Sequence, residues 1–257
     1  MLRVITCNVN GIRAAARKGF YPWLAAQQAD VVCLQETKAQ TQQLTDPLFN
    51  PLGYYCYYHD AERKGYSGVA LYSRRAPDTV RIGLGLPYVD SEGRYLEARF
   101  GNLRIVSLYL HSGSAGPLRQ ALKFRFLEDF LPHLQALQQA PGDTILCGDW
   151  NIAHRPLDLK NWRANQKNSG FLPEERAWLD TVFGPVGLHD AFRVLYPDTE
   201  QYTWWSNRGR AWENNVGWRI DYQIITSGLR ERVQAAQVYT AERFSDHAPL
   251  IVDYAWP

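Results

Sequence analysis

Two near-continuous apolar runs, Val31-Val32-Cys33-Leu34 and Ile145-Leu146-Cys147, each end in an acid, Glu36 in the first case and Asp149 in the second. Runs of this kind suit strands covered on both faces, because a sheet with one wet face alternates apolar and polar residues. Further β-rich segments bring the expected strands to 2–8, 30–36, 68–74, 95–100, 103–110, 144–150, 219–226, 234–239 and 249–254. Amphipathic stretches separate them. The spacing predicts a helix over 18–28 with Phe20, Trp23 and Leu24 on one face, and another over 117–138, where Leu127, Phe130, Leu131, Leu134 and Leu137 recur. A third is expected after Pro173, since proline suits the first helical position and Glu174 and Glu175 suit the positive end of the helix. Strands that need cover on both sides, with helices between them, imply layered α/β packing.

The chain has 257 residues and 46% hydrophobic content, enough for a full core, and no Pro/Gly/Ser-rich linker divides it. One domain over 1–257 is therefore expected. Cys7, Cys33, Cys56 and Cys147 show no CxxC spacing, and three of them lie in apolar runs where a thiol acts as a small hydrophobe, so zinc and disulfide readings are both poor. The opening MLRVITCNVN lacks the features of a signal peptide, and no run approaches the roughly 20 apolar residues that span a bilayer. A cytoplasmic protein without a membrane partner is expected. The net charge of +2 is far from a general nucleic-acid coat, so a polyanion would have to be held by a local basic patch.

The strand ends carry the chemistry. Asn8 and Asn10 follow the first strand, Glu36 the second, Asp149 and Asn151 a later one, and Asp246-His247 directly precede the last. Gathered together, these side chains make an oxygen-rich site with a poised imidazole, suited to metal-assisted hydrolysis of a phosphate ester. Taken singly, each has a blander reading: Glu36 as an exposed strand-end acid, Asp149 and Asn151 as an Asx turn, His247 as a satisfied structural histidine. Asp221 weighs against the last of these. It sits in the otherwise apolar Ile220-Asp221-Tyr222, and a buried aspartate needs a partner such as an imidazole, whose tautomer and charge it would fix.

Seven segments in order resemble the endonuclease/exonuclease/phosphatase superfamily, and more narrowly the exonuclease III type of abasic-site endonucleases. They are Asn8-Val9-Asn10-Gly11, Leu34-Gln35-Glu36-Thr37-Lys38, Gly65-Tyr66-Ser67-Gly68-Val69, Ser107-Leu108-Tyr109, Gly148-Asp149-Trp150-Asn151-Ile152-Ala153, Gly217-Trp218-Arg219-Ile220-Asp221-Tyr222 and Ser245-Asp246-His247-Ala248-Pro249. The resemblance implies a DNase I-like fold, a four-layered α/β sandwich of two packed mixed sheets flanked by helices. It also implies Mg²⁺, with Mn²⁺ able to substitute, held by Glu36 with Asn8, Asn10, Asp246 and Asp149 close to the ion. Asp149 would orient or deprotonate the attacking water, Asn151 would contact the phosphate, and His247 held by Asp221 would stabilise the transition state. Tyr109 would donate a hydrogen bond to the phosphate or, if ionised, contribute to leaving-group chemistry.

The implied substrate is double-stranded DNA with abasic sites or blocked 3′ ends, cut 5′ to the abasic sugar by a monomer. Asn165, Lys167, Asn168, Gly65 and Tyr66 are the matching DNA contacts, Trp204 and Trp218 the apolar wall of the sugar pocket, and Arg208 the wedge candidate. The loops 111–116 and 206–209 hold few bulky apolar residues, which leaves a specialised 3′-to-5′ exonuclease as the alternative. A phosphoinositide or sphingolipid phosphatase would share the metal and His-Asp core, but not the 160–171 loop and the Trp204/Trp218 pair. A non-catalytic nucleic-acid-binding regulator would be expected to have lost Glu36, Asp149, Asn151 or Asp246, and all are present.

Overall fold

The computed structural model describes residues 1–256. In chain order its strands begin with β1 (Leu2–Asn8), β2 (Val31–Gln35), β3 (Tyr55–His59), β4 (Val69–Ser73) and β5 (Thr79–Ile82). They continue as β6 (Tyr95–Phe100), β7 (Leu103–Tyr109), β8 (Asp143–Asp149), β9 (His189–Asp190) and β10 (Trp204–Trp205). The last four are β11 (Gly217–Trp218), β12 (Asp221–Ile225), β13 (Val233–Val238) and β14 (Leu250–Tyr254). The helices are α1 (Ile12–Arg17), α2 (Phe20–Gln27), α3 (Pro87–Asp90), α4 (Pro117–Gln139), α5 (Trp162–Asn165), α6 (Pro173–Phe183) and α7 (Ala191–Leu195).

Two six-stranded sheets form, one in the order β13-β14-β1-β2-β4-β3 and the other β5-β6-β7-β8-β12-β9. Each is antiparallel except for one internal parallel pair, β1 with β2 and β7 with β8. The strand sequences explain the stacking. Val4, Val31, Cys33, Val69 and Leu71 face Leu103, Ile105, Ile145 and Cys147 in a core between the sheets, while Ile5, Val32, Leu34 and Tyr72 pack outward on Phe20, Trp23 and Leu24 of α2. On the far side Val106, Leu146 and Ile224 meet Phe126, Leu127, Phe130 and Leu134 of α4 and Leu179 of α6. The result is the layered α/β packing expected from runs that bury both faces, in the four-layered form that the family resemblance implies.

Some local structure departs from the expectation. The helix expected over 18–28 is α2, but a short α1, which the pattern did not mark, precedes it and ends at Arg17, and Gly19, at φ +87°, turns the chain between the two. Edge strands β3 and β5 went unread because they are only partly buried, which frees them from the apolar pattern that marked the others. Helix α4 runs through Pro132, whose missing N–H leaves one carbonyl a turn earlier without its helical partner.

Near the site a charged network is buried. Arg219 Nε lies 2.7 Å from Asp158 Oδ1 and its Nη1 2.7 Å from Asp190 Oδ2, and Arg193 also bonds Asp158. The Arg219 amide donates to the Asp158 carbonyl at 2.7 Å, which anchors the strand end next to Trp218. Burial alone would raise the Asp158 carboxyl, but Arg219 and Arg193 outweigh it and hold it down at about 2. Asp158→Asn is expected to cost about 3–5 kcal/mol near neutral pH, measured by urea unfolding. Because the carboxyl is depressed from an unfolded value of about 3.9, its contribution is complete above that pH and is lost as pH falls towards the native value. The gap between wild type and variant should therefore narrow in this acid window, and a gap that stays constant there would contradict the assignment.

Candidate active site

The ends of both parallel pairs open on the same edge of the sandwich. Asn8 and Glu36 come from β1 and the residue after β2, Tyr109 and Asp149 close β7 and β8, and Asp221 opens β12 opposite Asp149 in register. Asp246 and His247 arrive on the segment before β14, where the Trp205 amide donates to the Asp246 carbonyl at 3.0 Å and Ala248 donates to Thr203 at 2.7 Å. Ligand atoms of Glu36, Asp149 and His247 all lie within 4.8 Å of one another. The buried Asn8 amide bridges the two acids, donating to Glu36 Oε1 and to Asp149 Oδ2, each at 2.9 Å. Asn10 Nδ2 donates to Asp246 Oδ1 at 2.8 Å, and Trp204 Nε1 to Asp246 Oδ2 at 3.1 Å.

This convergence needs unusual backbone. Asn10, Glu36, Lys38 and Asn151 have φ of 43°, 52°, 50° and 52°, a left-handed conformation that lets a strand end and its side chain turn into the cleft at once. Backbone bonds hold these turns together: Gly11 N to Glu36 O at 2.8 Å, Thr37 N to Gly68 O at 3.1 Å and Lys38 N to Ser67 O at 2.9 Å. Gly68 is obligatory, since a Cβ there would stand 2.3 Å from Thr37 Oγ1. Burial and the neighbouring carboxylates thus crowd negative charge into a small volume.

The charges respond to that crowding. Burial raises the Asp149 carboxyl to about 7, against the pull of His247 and with Asp221 and Glu36 adding to the rise. Burial would lower His247, but Asp221, Asp149 and Asp246 outweigh it and raise the imidazole to about 10. Its Nδ1–H donates to Asp221 Oδ2 at 2.9 Å, while Nε2 faces Asp149 Oδ2 at 3.8 Å. Burial also holds the Tyr109 phenol well above its ordinary value, reinforced by Glu36 and opposed by Arg94, so Tyr109 is a neutral donor near pH 7.

A cleft of about 610 Å³ opens over these groups, walled by Tyr109, Lys167, Asn168, Gly170, Trp204 and Trp218. Trp204 and Trp218 pair across the β10–β11 hairpin with ring centroids 6.3 Å apart and planes at 79°. Asn165 stands behind the wall, accepting from Asn168 Nδ2 at 2.7 Å. Tyr66 lines an adjoining groove of about 650 Å³ that shares Tyr109, Ser112 and Ser114 with the cleft. Gly65 and Arg208 lie outside the lining of both, Gly65 in a left-handed turn and Arg208 on the exposed loop after β10.

Three cations were given no role by the sequence reading. Lys38 Nζ sits 2.6 Å from Glu36 Oε2 and also bonds Asn10 Oδ1. Arg94 and Arg119 flank the Tyr66 ring, 5.8 and 5.6 Å from its centroid, and both bond Glu92. The signal for Lys38 was its place two residues after Glu36, whereas nothing local marked the two arginines.

Hard oxygen donors dominate the cluster, and its clustered acids, with Asp149 driven up to about 7, are what a bound divalent cation would relieve. The residues therefore fit a metal. The pattern of the Endonuclease/Exonuclease/phosphatase family matches residues 5–247. The chain belongs to this family. Among curated members it is 39% identical over 251 residues to the exodeoxyribonuclease of Bacillus subtilis, covering 97% of this chain and 98% of that protein. An AP endonuclease from Archaeoglobus fulgidus superposes with a TM-score of 0.90 at 27% identity over the whole of both chains. A 3′-5′ exonuclease from Neisseria meningitidis gives 0.91 at 25% identity, covering 99% of this chain and all of the other.

Within this Endonuclease/Exonuclease/phosphatase site, Asp221, which bonds the His247 ring directly, does most among its acidic neighbours to raise the imidazole. Asp221→Asn is expected to bring the imidazole down from about 10 towards the ordinary histidine value of about 6.5, followed by NMR of the ring nitrogens. An unmoved titration would mean that Asp149 and Asp246 suffice.

Proposed function

We propose that this chain, as one catalytic domain over 1–257, is a metal-dependent DNA repair nuclease. It cuts the phosphodiester 5′ to an abasic site to leave a 3′-hydroxyl, and it acts on blocked or ordinary 3′ ends at the same centre. The observation that carries the reading is the apposition of the Glu36–Asp149–His247 cluster to the Trp204–Trp218 wall in one cleft. Acids and imidazole suit phosphate hydrolysis, and the apolar wall suits a sugar that has lost its base and left the stack. The B. subtilis and A. fulgidus relatives add support through their names and full-length coverage.

In this mechanism Glu36, Asn8, Asn10, Asp246 and Asp149 would hold Mg²⁺ or Mn²⁺, which would supply positive charge to neutralise the phosphoryl oxygens. Asp149 accepts the proton of the attacking water, oriented by the Asn8 amide that it shares with Glu36. His247, kept charged by Asp221, faces the oxygens that gain charge in the transition state. The Asn151 amide donates one hydrogen to Leu110 O at 2.9 Å and turns the other to the phosphate, while Tyr109 donates its phenolic hydrogen.

Lys167, Asn165, Asn168, Gly65 and Tyr66 follow the sugar–phosphate backbone, and Arg208 enters the duplex beside the lesion. Arg94 and Arg119 extend the phosphate path around Tyr66. No helix among the described residues is long and apolar enough to cross a membrane. The proposed enzyme works as a cytoplasmic monomer on DNA.

A second reading, a specialised 3′-to-5′ exonuclease, is favoured by the likeness to the Neisseria enzyme and by the small side chains of loop 112–116. A duplex with one central abasic analogue, beside an undamaged control, distinguishes the two. Incision only 5′ to the analogue, abolished by EDTA, is the expected result, and shortening of both duplexes from their 3′ ends without incision would establish the exonuclease instead. Asp149→Asn should lower turnover by about a thousandfold, with DNA affinity nearly unchanged. Equal loss of binding and turnover would assign Asp149 a structural role. Affinity should fall steeply with salt as phosphate contacts release counterions, and a flat response would remove the basic groove from the DNA path.

A further inference from the structure

Lys123 of α4 and Glu175 of α6 form an ion pair whose side chains are both 0% exposed, with Nζ 2.6 Å from Oε1. A fully buried pair is an unpromising source of stability, because well-packed apolar residues of similar volume commonly serve as well or better. What distinguishes this pair is where its remaining hydrogen bonds go. Lys123 Nζ donates to the Asn151 carbonyl at 2.8 Å. Glu175 Oε2 accepts from the Gly170 amide at 2.6 Å and the Leu172 amide at 3.0 Å, and Oε1 accepts from Gln120 Nε2 at 3.1 Å. The pair therefore grips two stretches of backbone that border the cleft.

Those stretches touch each other. Ala153 N donates to Gly170 O at 2.8 Å, and a Cβ on Gly170 would stand 3.1 Å from both the Asn151 carbonyl and the Trp218 ring. Asn151 holds its left-handed backbone, at φ 52°, with its carbonyl on Lys123. The neighbouring 112–116 loop rests on the same support. A Cβ on Gly113 would stand 1.9 Å from Gln120 Oε1 and 2.6 Å from Ser169 Oγ.

We infer that Lys123 and Glu175 are positioning residues, which together set the Asn151 turn against the 168–172 loop and so fix the width of the sugar pocket. The inference rests on the proposed nuclease reading for its consequence, though not for its geometry. Neither residue lines the cleft. Their removal acts through Asn151 and Gly170, and a misplacement of reacting groups by about 1 Å can cost on the order of a hundredfold in rate.

The experiment uses the full chain carrying Lys123→Met, Lys123→Arg, and the double change Lys123→Met with Glu175→Leu. The double variant removes both charges and guards against a single variant that fails to fold. The readouts are kcat and KM on the abasic-analogue duplex, thermal stability, and hydrogen exchange at the Gly170 and Leu172 amides. For Lys123→Met and the double variant, kcat is expected to fall at least about tenfold with KM within about threefold. Lys123→Arg, which keeps the charge, should recover most of the rate. The two amides should exchange faster in both deficient variants. Leu134→Ala, a cavity in the α4 core, supplies a destabilised control whose folded fraction keeps the wild-type kcat.

A folded double variant with full kcat would overturn the inference, as would unchanged exchange at Gly170 and Leu172. So would a rate loss that follows thermal stability alone across all variants. If the wild type itself leaves the abasic duplex intact, the nuclease reading fails at that substrate, and the same kcat and KM comparison is made on release of nucleotides from a recessed 3′ end. The exchange measurement needs no substrate and judges the geometry in either case.

Discussion

Buried amides between the two sheets govern everything at the cleft. Gln35 Nε2 reaches across to Ser107 Oγ at 3.1 Å, and Ser107 in turn donates to the Leu34 carbonyl at 3.0 Å. From the second sheet Gln223 donates back to the carbonyls of Val4 and Leu250, at 2.9 and 3.2 Å, while Tyr254 caps its oxygen at 2.9 Å. Apolar side chains between two sheets tolerate small slides, but satisfied buried polar groups hold one register, because any slide would strand a donor in a dry interior. Asn8 and Glu36 belong to one sheet and Tyr109, Asp149 and Asp221 to the other. A site assembled across that seam works only if the seam does not move.

Charge is managed by the same economy of positions. Glu36 and Asp246 are held below their ordinary values against the upward push of burial, Glu36 mainly by Lys38 and Asn8, Asp246 mainly by His247 and Asn10. Asp149, more deeply buried and with Asp221 and Glu36 near it, rises instead. Neighbouring carboxyls of one cluster thus differ in proton affinity because their partners differ. That separation is what a site needs if some acids are to stay ionised while another takes up a proton.

The sequence was most legible where burial was complete on both faces. The central strands announce themselves through unbroken apolar runs, and their terminal acids stand out against that background. Edge strands and the six-residue α1 bury less and left weaker traces. Lys123 illustrates a different limit. In α4 it occupies one polar position among many, and only the arrival of α6 converts that position from a wet surface into dry interior. Glu175 was read as complementing the helix dipole. It does accept the amide at the head of its own helix, but the ion pair and the bond to Gly170 are tertiary facts that no local pattern encodes.

The left-handed residues at the strand ends bear on how this protein can be engineered. Asn10, Glu36, Lys38 and Asn151 each hold a conformation that glycine adopts at far lower cost. Selection for heat tolerance alone would therefore be drawn to glycine at these four places, where relaxing the backbone deletes the functional side chain. Durability and turnover are opposed there by construction. Libraries meant to harden the protein should leave those strand ends untouched and work on the exposed edge strands instead.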